Sequence, residues 1–205
     1  MERLAHLMEK PGVLTYMLEK PLTDLELMAL SESLRPYQVE RYPDQRIVVM
    51  SPASRKSARV NSIIVGILAD WCEAEGSGES YESSIGYTLP DGSTLSPDVS
   101  WIRKDRLPPE TAEKDEDEFI AAAPDFAVEI CSKSNWLGGQ YGLLQKMERY
   151  IQNGVRLGWI IDPFEEKAYI FKPGRPYETI PDFTAKLSGE EVMPGFVLDL
   201  AKCKV

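Results

Sequence analysis

The sequence predicts one α/β domain: a mixed β-sheet with helices packed on it, preceded by a helix and a hairpin. Three observations predict it. An uninterrupted helical apolar stripe runs from about Lys56 to Glu75, three strand-like runs separated by turn signals follow up to Cys131, and a helix from about Gly139 to Asn153 then leads to two more apolar runs. Strands followed by a crossover helix and further strands give a mixed sheet covered by helices. The 205 residues, 43% of them hydrophobic, suit one domain with a sizeable core. We set that domain at 23–205, after an N-terminal arm at 1–22.

Residues 1–22 show little periodicity and carry Pro11, Gly12 and Pro21, so they read as a weakly ordered arm or partner contact, with Tyr16 as an exposed aromatic. Thr23 caps a helix in which Leu25, Met28 and Ala29 recur at helical spacing. The runs YQVERY and RIVVM, with Pro43-Asp44 between them, read as a hairpin. Val60, Ile63, Ile64, Ile67, Leu68 and Trp71 then fall at i, i+3, i+4, i+7, i+8 and i+11, one stripe of a helix that Gly76 and Gly78 end. SYESSIGYTL alternates as a strand, Asp91-Gly92 turns, and SPDVSWI is a second strand. The polar stretch 103–124, with its EKDEDE run, reads as a solvated loop. DFAVEIC is a third strand. After the helix closed by Gly154, LGWIIDP and KAYIFKP are two more strands, and the remainder reads as loops ending in PGFVLDL. Gly138, Gly139 and Gly142 lack the Gly-Lys-Ser/Thr ending of a phosphate loop and read as an entry to that helix.

Composition narrows the chemistry. His6 is the sole histidine, which sets aside hydrolases that use a histidine base and His-rich metal sites. Cys72, Cys131 and Cys203 have no C-x-x-C spacing and are odd in number, against a disulfide framework or a cysteine zinc site. The remaining chemistry belongs to carboxylates, lysines, hydroxyls and hard metal ions. A net charge of −10 weighs against a broad phosphate-binding surface. With no secretory signal and no run of about 18 apolar residues, the expectation is a cytoplasmic protein that does not enter a membrane.

Strand alternation places two carboxylates. In Asp125–Cys131, Phe126, Val128 and Ile130 share one face, and Glu129 shares the other with Ala127 and Cys131. In Ser96–Ile102, Asp98 lies between small neighbours opposite Val99 and Trp101, near the start of a strand that Pro97 introduces. Two carboxylates about 4 Å apart repel by roughly 4 kcal/mol at an effective dielectric near 20, so such a notch suits a hard divalent ion, typically magnesium. Periodicity alone leaves open the plainer alternative of two core acids with ordinary hydrogen-bond or ion-pair partners. With Leu143 set at zero, Met147, Tyr150 and Ile151 fall within about 80 degrees of it and Lys146 lies about 60 degrees to the other side, at the edge of the buried stripe. Its stem can follow apolar surface while the ammonium reaches a cleft, or it can simply cover core atoms.

The succession of helix, three strands, helix and strand resembles the restriction-endonuclease-like core of the PD-(D/E)XK nucleases. The stretches VVMSPAS, LSPDVSWIRKDR, PDFAVEICS, QKMERYIQNGVRLGWIIDP, YIFKPG and MPGFVLDL, in this order over about residues 23–200, resemble the Uma family of that superfamily. The resemblance implies that Asp98 is the acid of the PD motif and Glu129 the acid of the D/E-x-K motif. The lysine two positions later is replaced by Cys131, and Lys146 on the following helix matches the lysine instead. Glu40 matches an upstream acidic position, an auxiliary ligand or substrate contact, while its place in YQVERY alone reads as a surface charge on the hairpin. The run Ser132-Lys133-Ser134-Asn135 departs from the family by lacking an acid, and Cys131 replaces an arginine frequent in relatives.

The implied activity is hydrolysis of DNA phosphodiester bonds with Mg2+, or Mn2+, held by Asp98 and Glu129, and with Lys146 supporting the attacking water or the phosphorus. Two alternatives stay open: a non-catalytic interaction or nucleic-acid-binding module on the same fold, and a metal-dependent hydrolase of another phosphoester. Cutting both strands of DNA calls for two sites, so a homodimer is expected. Arg55, Lys56 and Arg59, with Arg103, Lys104 and Arg106, are the candidate phosphate contacts.

Overall fold

The computed structural model describes residues 7–10, 13–109, 119–132 and 142–205. The elements in chain order are β1 (Leu7–Lys10), β2 (Val13–Met17), α1 (Asp24–Ser33), β3 (Gln38–Arg41), β4 (Arg46–Met50), α2 (Arg55–Glu75), β5 (Gly78–Glu82), β6 (Tyr87–Thr88), β7 (Thr94–Leu95), β8 (Val99–Arg103) and β9 (Phe126–Ile130). They continue with α3 (Leu143–Gln152), β10 (Leu157–Asp162), β11 (Lys167–Phe171), β12 (Glu178–Ile180), β13 (Lys186–Ser188) and β14 (Val197–Asp199). One six-stranded sheet runs β1-β2-β4-β3-β7-β6, a second runs β12-β11-β10-β9-β8-β5, and β13 and β14 form a small ribbon.

The second sheet is the mixed sheet that the sequence predicts. Its central pair, β9 and β10, is parallel and its other pairings are antiparallel. A parallel pair needs a crossover, and the segment carrying α3 supplies it. The α2 stripe, led by fully buried Val60, Ile64 and Leu68, packs on Val99, Trp101, Phe126, Val128 and Trp159 on one face. On the other face α3 sets Leu143, Met147 and Tyr150 among Ala127, Cys131 and Ile160, where the first sheet adds Val48, Met50 and Leu95. Glu129 alternates onto this second face, between helix and sheet. Gly76 closes α2 in the left-handed conformation (φ 75°), as its position after the stripe predicts.

Gly158 sets how closely α3 approaches β10. A Cβ there would lie 2.2 Å from Met147 Sδ. Gly158→Ala is expected to cost about 1–3 kcal/mol by overpacking, read as a lower urea midpoint with an unchanged m-value.

Several sequence expectations change. Val13–Met17 belongs to a strand, not a loose arm: β2 pairs with β4 from Val13↔Met50 to Met17↔Arg46, and Tyr16 is half-buried against the α1 cluster. Alternate residues Val13 and Thr15 turn inward, and the β4 edge satisfies the backbone. In α1 the buried residue is Leu27, while Leu25 is 69% exposed. Thr23 caps α1 as the sequence predicts, and the structure adds Glu26 as its partner in a capping box. SYESSIGYTL is two strands in different sheets, because a turn at Glu82–Ile85 carries the chain from β5 to β6. In SPDVSWI the strand starts only at Val99, so Ser96, Pro97 and Asp98 lie just before β8. The C-terminal stretch forms β12, β13 and β14 where loops are expected. Residues 1–6, 11–12, 110–118 and 133–141 lie outside the described residues. They include His6, the EKDEDE run, Gly138 and Gly139, and Lys133, Ser134 and Asn135. Among the described residues no helix is long and apolar enough to cross a membrane.

Candidate active site

The four acids and bases singled out in the sequence converge between the two sheets. β3 carries Glu40 into the interior, paired with Val48 of β4, so it is no hairpin surface charge. β9 carries Glu129 and α3 carries Lys146, and all three side chains are buried. Lys146 Nζ lies 2.6 Å from Glu40 Oε1 and 2.8 Å from Glu129 Oε1, and donates to the Ser96 carbonyl at 3.0 Å. All three ammonium donors thus have an acceptor in reach. The ammonium also sits 5.9 Å from the centroid of the Tyr150 ring, whose face favours a cation.

Glu40 Oε1 also accepts from the Ser96 amide at 3.1 Å, while its Oε2 is buried with no partner among the described residues. Asp98 lies beside this triangle. Its Oδ2 accepts from the Ile130 amide at 2.7 Å. Its Oδ1 has no hydrogen-bond partner among the described residues, and the side chain is partly exposed in a cavity of about 260 Å3. That single amide contact ties the position of Asp98 to β9, one residue past Glu129.

One cation faces three carboxyl groups, and the electrostatics follow. Burial pushes Glu129 up to about 8, aided by the charges of Asp98 and Glu40 and opposed by Lys146. Burial also raises Asp98, against Lys146 and the Ile130 amide. Burial acts to lower Lys146, but Glu129 and Glu40 outweigh it and hold the ammonium charged. The cluster therefore retains a proton near neutrality, or else needs a further positive charge.

The donors suit a hard ion. They are oxygen only, one carboxylate opens on the cavity, and Glu40 Oε2 is an orphaned buried acceptor. Among the described residues there is no group of three or more His, Cys, Asp or Glu arranged as a ready ligand cage. A magnesium ion held by one or two carboxylates, with waters and substrate oxygens completing its shell, would not need such a cage.

The basic candidates divide. Arg55 and Arg59 are exposed on the first turns of α2, whose Ser57, Ala58 and Asn61 line the Asp98 cavity. Lys56 lies 5.3 Å from the Phe164 ring centroid. Arg103 ends β8, roughly 17 Å from Asp98 at strand rise, and Lys104 and Arg106 follow it. They bond Asp105, the Gly76 carbonyl and Asp125 respectively, so their charge serves the chain's own contacts away from the site.

Sequence reasoning missed Gln38, Asn61 and Tyr37, which line the ground around Asp98. Asn61 was within reach: it stands four residues after Ser57, at the polar margin of the α2 stripe.

The model of the family named Uma2, described as "Putative restriction endonuclease", matches residues 25–201. The crystal structure of a protein from Anabaena variabilis, titled a "putative nuclease belonging to DUF820", shares the fold with a TM-score of 0.68. It is 20% identical and the match covers 90% of this chain and 98% of that one. No curated protein matches.

Proposed function

Because this chain belongs to the Uma2 family, we propose that it is a magnesium-dependent endonuclease acting on DNA. The observation that carries the proposal is the buried Glu40–Lys146–Glu129 triangle beside Asp98, which lines a cavity. Asp98 and Glu129 would hold the metal, which supplies an activated water and stabilises charge on the phosphate.

The chain's own groups do the rest. Asp98, tied to the Ile130 amide, presents Oδ1 at a fixed place in the cleft. Lys146, held charged by Glu40 and Glu129, sets a positive charge beside the phosphate as negative charge grows on its oxygens. The water oxygen bonds to phosphorus as one of its protons passes to solvent, the bond from phosphorus to one ester oxygen breaks, and the departing alkoxide takes a proton from solvent. Glu129 gives up its own proton near pH 8, which would free its carboxylate for the metal.

Asp98→Ala is expected to reduce magnesium-dependent nicking of supercoiled plasmid by at least about a thousandfold, with folding intact because Asp98 is partly exposed. Unchanged nicking would sink the assignment. The net charge of −10 favours a second reading, a non-catalytic module on the same fold. It predicts no divalent-ion binding that depends on Asp98 and Glu129.

A further inference from the structure

Asp98 stands where two cavities meet. The first, about 260 Å3, lies against α2. The second, about 360 Å3, runs toward the end of α1, and both are lined by Gln38, Ser51, Ala53, Ser83 and Asp98. They form one groove that crosses the candidate active site.

The two arms of the groove differ in chemistry. In the α2 arm, Asn61 Oδ1 is buried without a partner among the described residues, a polar group on the first turns of α2 near exposed Arg55 and Arg59. The other arm carries Tyr37, an aromatic side chain 48% exposed, with Phe119 and Arg35 also lining it. An exposed aromatic in a groove, next to a phosphate-cleaving centre, is a surface on which a flat π-system can stack.

We infer that the groove takes a single unpaired DNA strand, with one base stacked on Tyr37 and the neighbouring nucleotide held at Asn61. The inference rests on the nuclease reading and names its substrate class. A duplex buries the faces of its bases in the stack, so a base reaches Tyr37 only when it is out of the helix. The charge of the chain agrees. Duplex affinity comes chiefly from many lysine and arginine contacts to phosphate, which a chain of net charge −10 supplies poorly. A single strand also needs contacts to phosphate, for which exposed Arg55 and Arg59 stand at the start of α2, and stacking on an aromatic ring adds affinity that tolerates any base.

The test is fluorescence anisotropy of a labelled twelve-nucleotide oligothymidylate and of a twelve-base-pair duplex, with Ca2+ replacing Mg2+ to suppress cleavage. Wild type is expected to bind the single strand more tightly. Tyr37→Ala is expected to weaken that binding roughly ten- to a hundredfold, the effect of losing one stacked base, and Tyr37→Trp to keep it. Tyr177→Ala, at another exposed aromatic, is expected to bind as wild type does. Duplex bound as tightly as single strand, or Tyr37→Ala equal to wild type, overturns the inference. Asp98-dependent nicking of plasmid in the same preparations would leave the nuclease reading standing in that event. No binding of either DNA together with intact plasmid overturns both.

Discussion

Replacing Lys146 with Met is expected to abolish plasmid nicking and to destabilise the protein by about 3–5 kcal/mol. That is the cost of removing one partner from a buried ion pair and leaving the other uncompensated. The side chain is 3% exposed and stands between Glu40 and Glu129, so its loss brings two carboxyl groups together with no cation between them. The destabilisation is expected to grow with pH. Lys146 opposes the effect of burial on Glu129, so its loss raises that carboxyl further above about 8, and the variant must hold a proton there to higher pH than the wild type does. Urea unfolding at pH 6 and pH 9 measures this. A triple variant with Glu40→Gln and Glu129→Gln added is expected to recover most of the lost stability and none of the activity, because neutral amides need no buried ammonium. Full stability in the Lys146→Met single variant would mean that the cluster is not held by charge.

Local periodicity carries much of this site. The alternation of Asp125–Cys131 sends Glu129 to the face opposite Phe126, Val128 and Ile130, and the structure divides the strand in that way between two cores. The angle of Lys146 at the margin of the α3 stripe places its stem on apolar surface and its ammonium in the interior. What local pattern cannot carry is the partner. Val13–Met17 is a strand because β4, some thirty residues on, offers it an edge. Glu40 reads in sequence as a charge on a hairpin and is fully buried because α3 and β9 bring a cation to it. The run from Ser80 to Leu89 alternates convincingly, yet the turn after Glu82 sends its halves to different sheets. Tyr37 gives no periodic signal at all. It matters only because the start of β3 comes to lie beside Asp98, sixty positions along the chain.

The net charge of −10 and the nuclease reading become compatible once the charge is located. Three acids of the excess, Glu40, Asp98 and Glu129, belong to the site and face one lysine. A divalent ion bound there would neutralise that local imbalance, and charges more than about 10 Å from the site are largely screened from it.

Magnesium affinity is therefore expected to rise steeply with pH and to be coupled to proton release. Glu129 sits at about 8 in the folded chain against 4.5 for the free group, so below pH 8 a proton must leave before the carboxylate can serve as a ligand. The apparent dissociation constant for Mg2+ should weaken by about tenfold for each pH unit below 8, roughly a hundredfold between pH 8 and pH 6. Isothermal titration in buffers of different ionisation enthalpy should find close to one proton released at pH 6 and almost none above pH 9. Stability carries the opposite sign. A carboxyl whose folded pKa is raised contributes stability that is fully present below about 4.5 and is lost as pH rises through about 8. The metal-free protein should therefore melt at a lower temperature at pH 9 than at pH 6, and Mg2+ should restore the difference by binding the folded state alone. In Glu129→Gln both slopes should flatten. Proton release that persists in that variant would assign the proton to Asp98, whose pKa burial also raises. An affinity independent of pH in the wild type would mean that the ion does not engage Glu129.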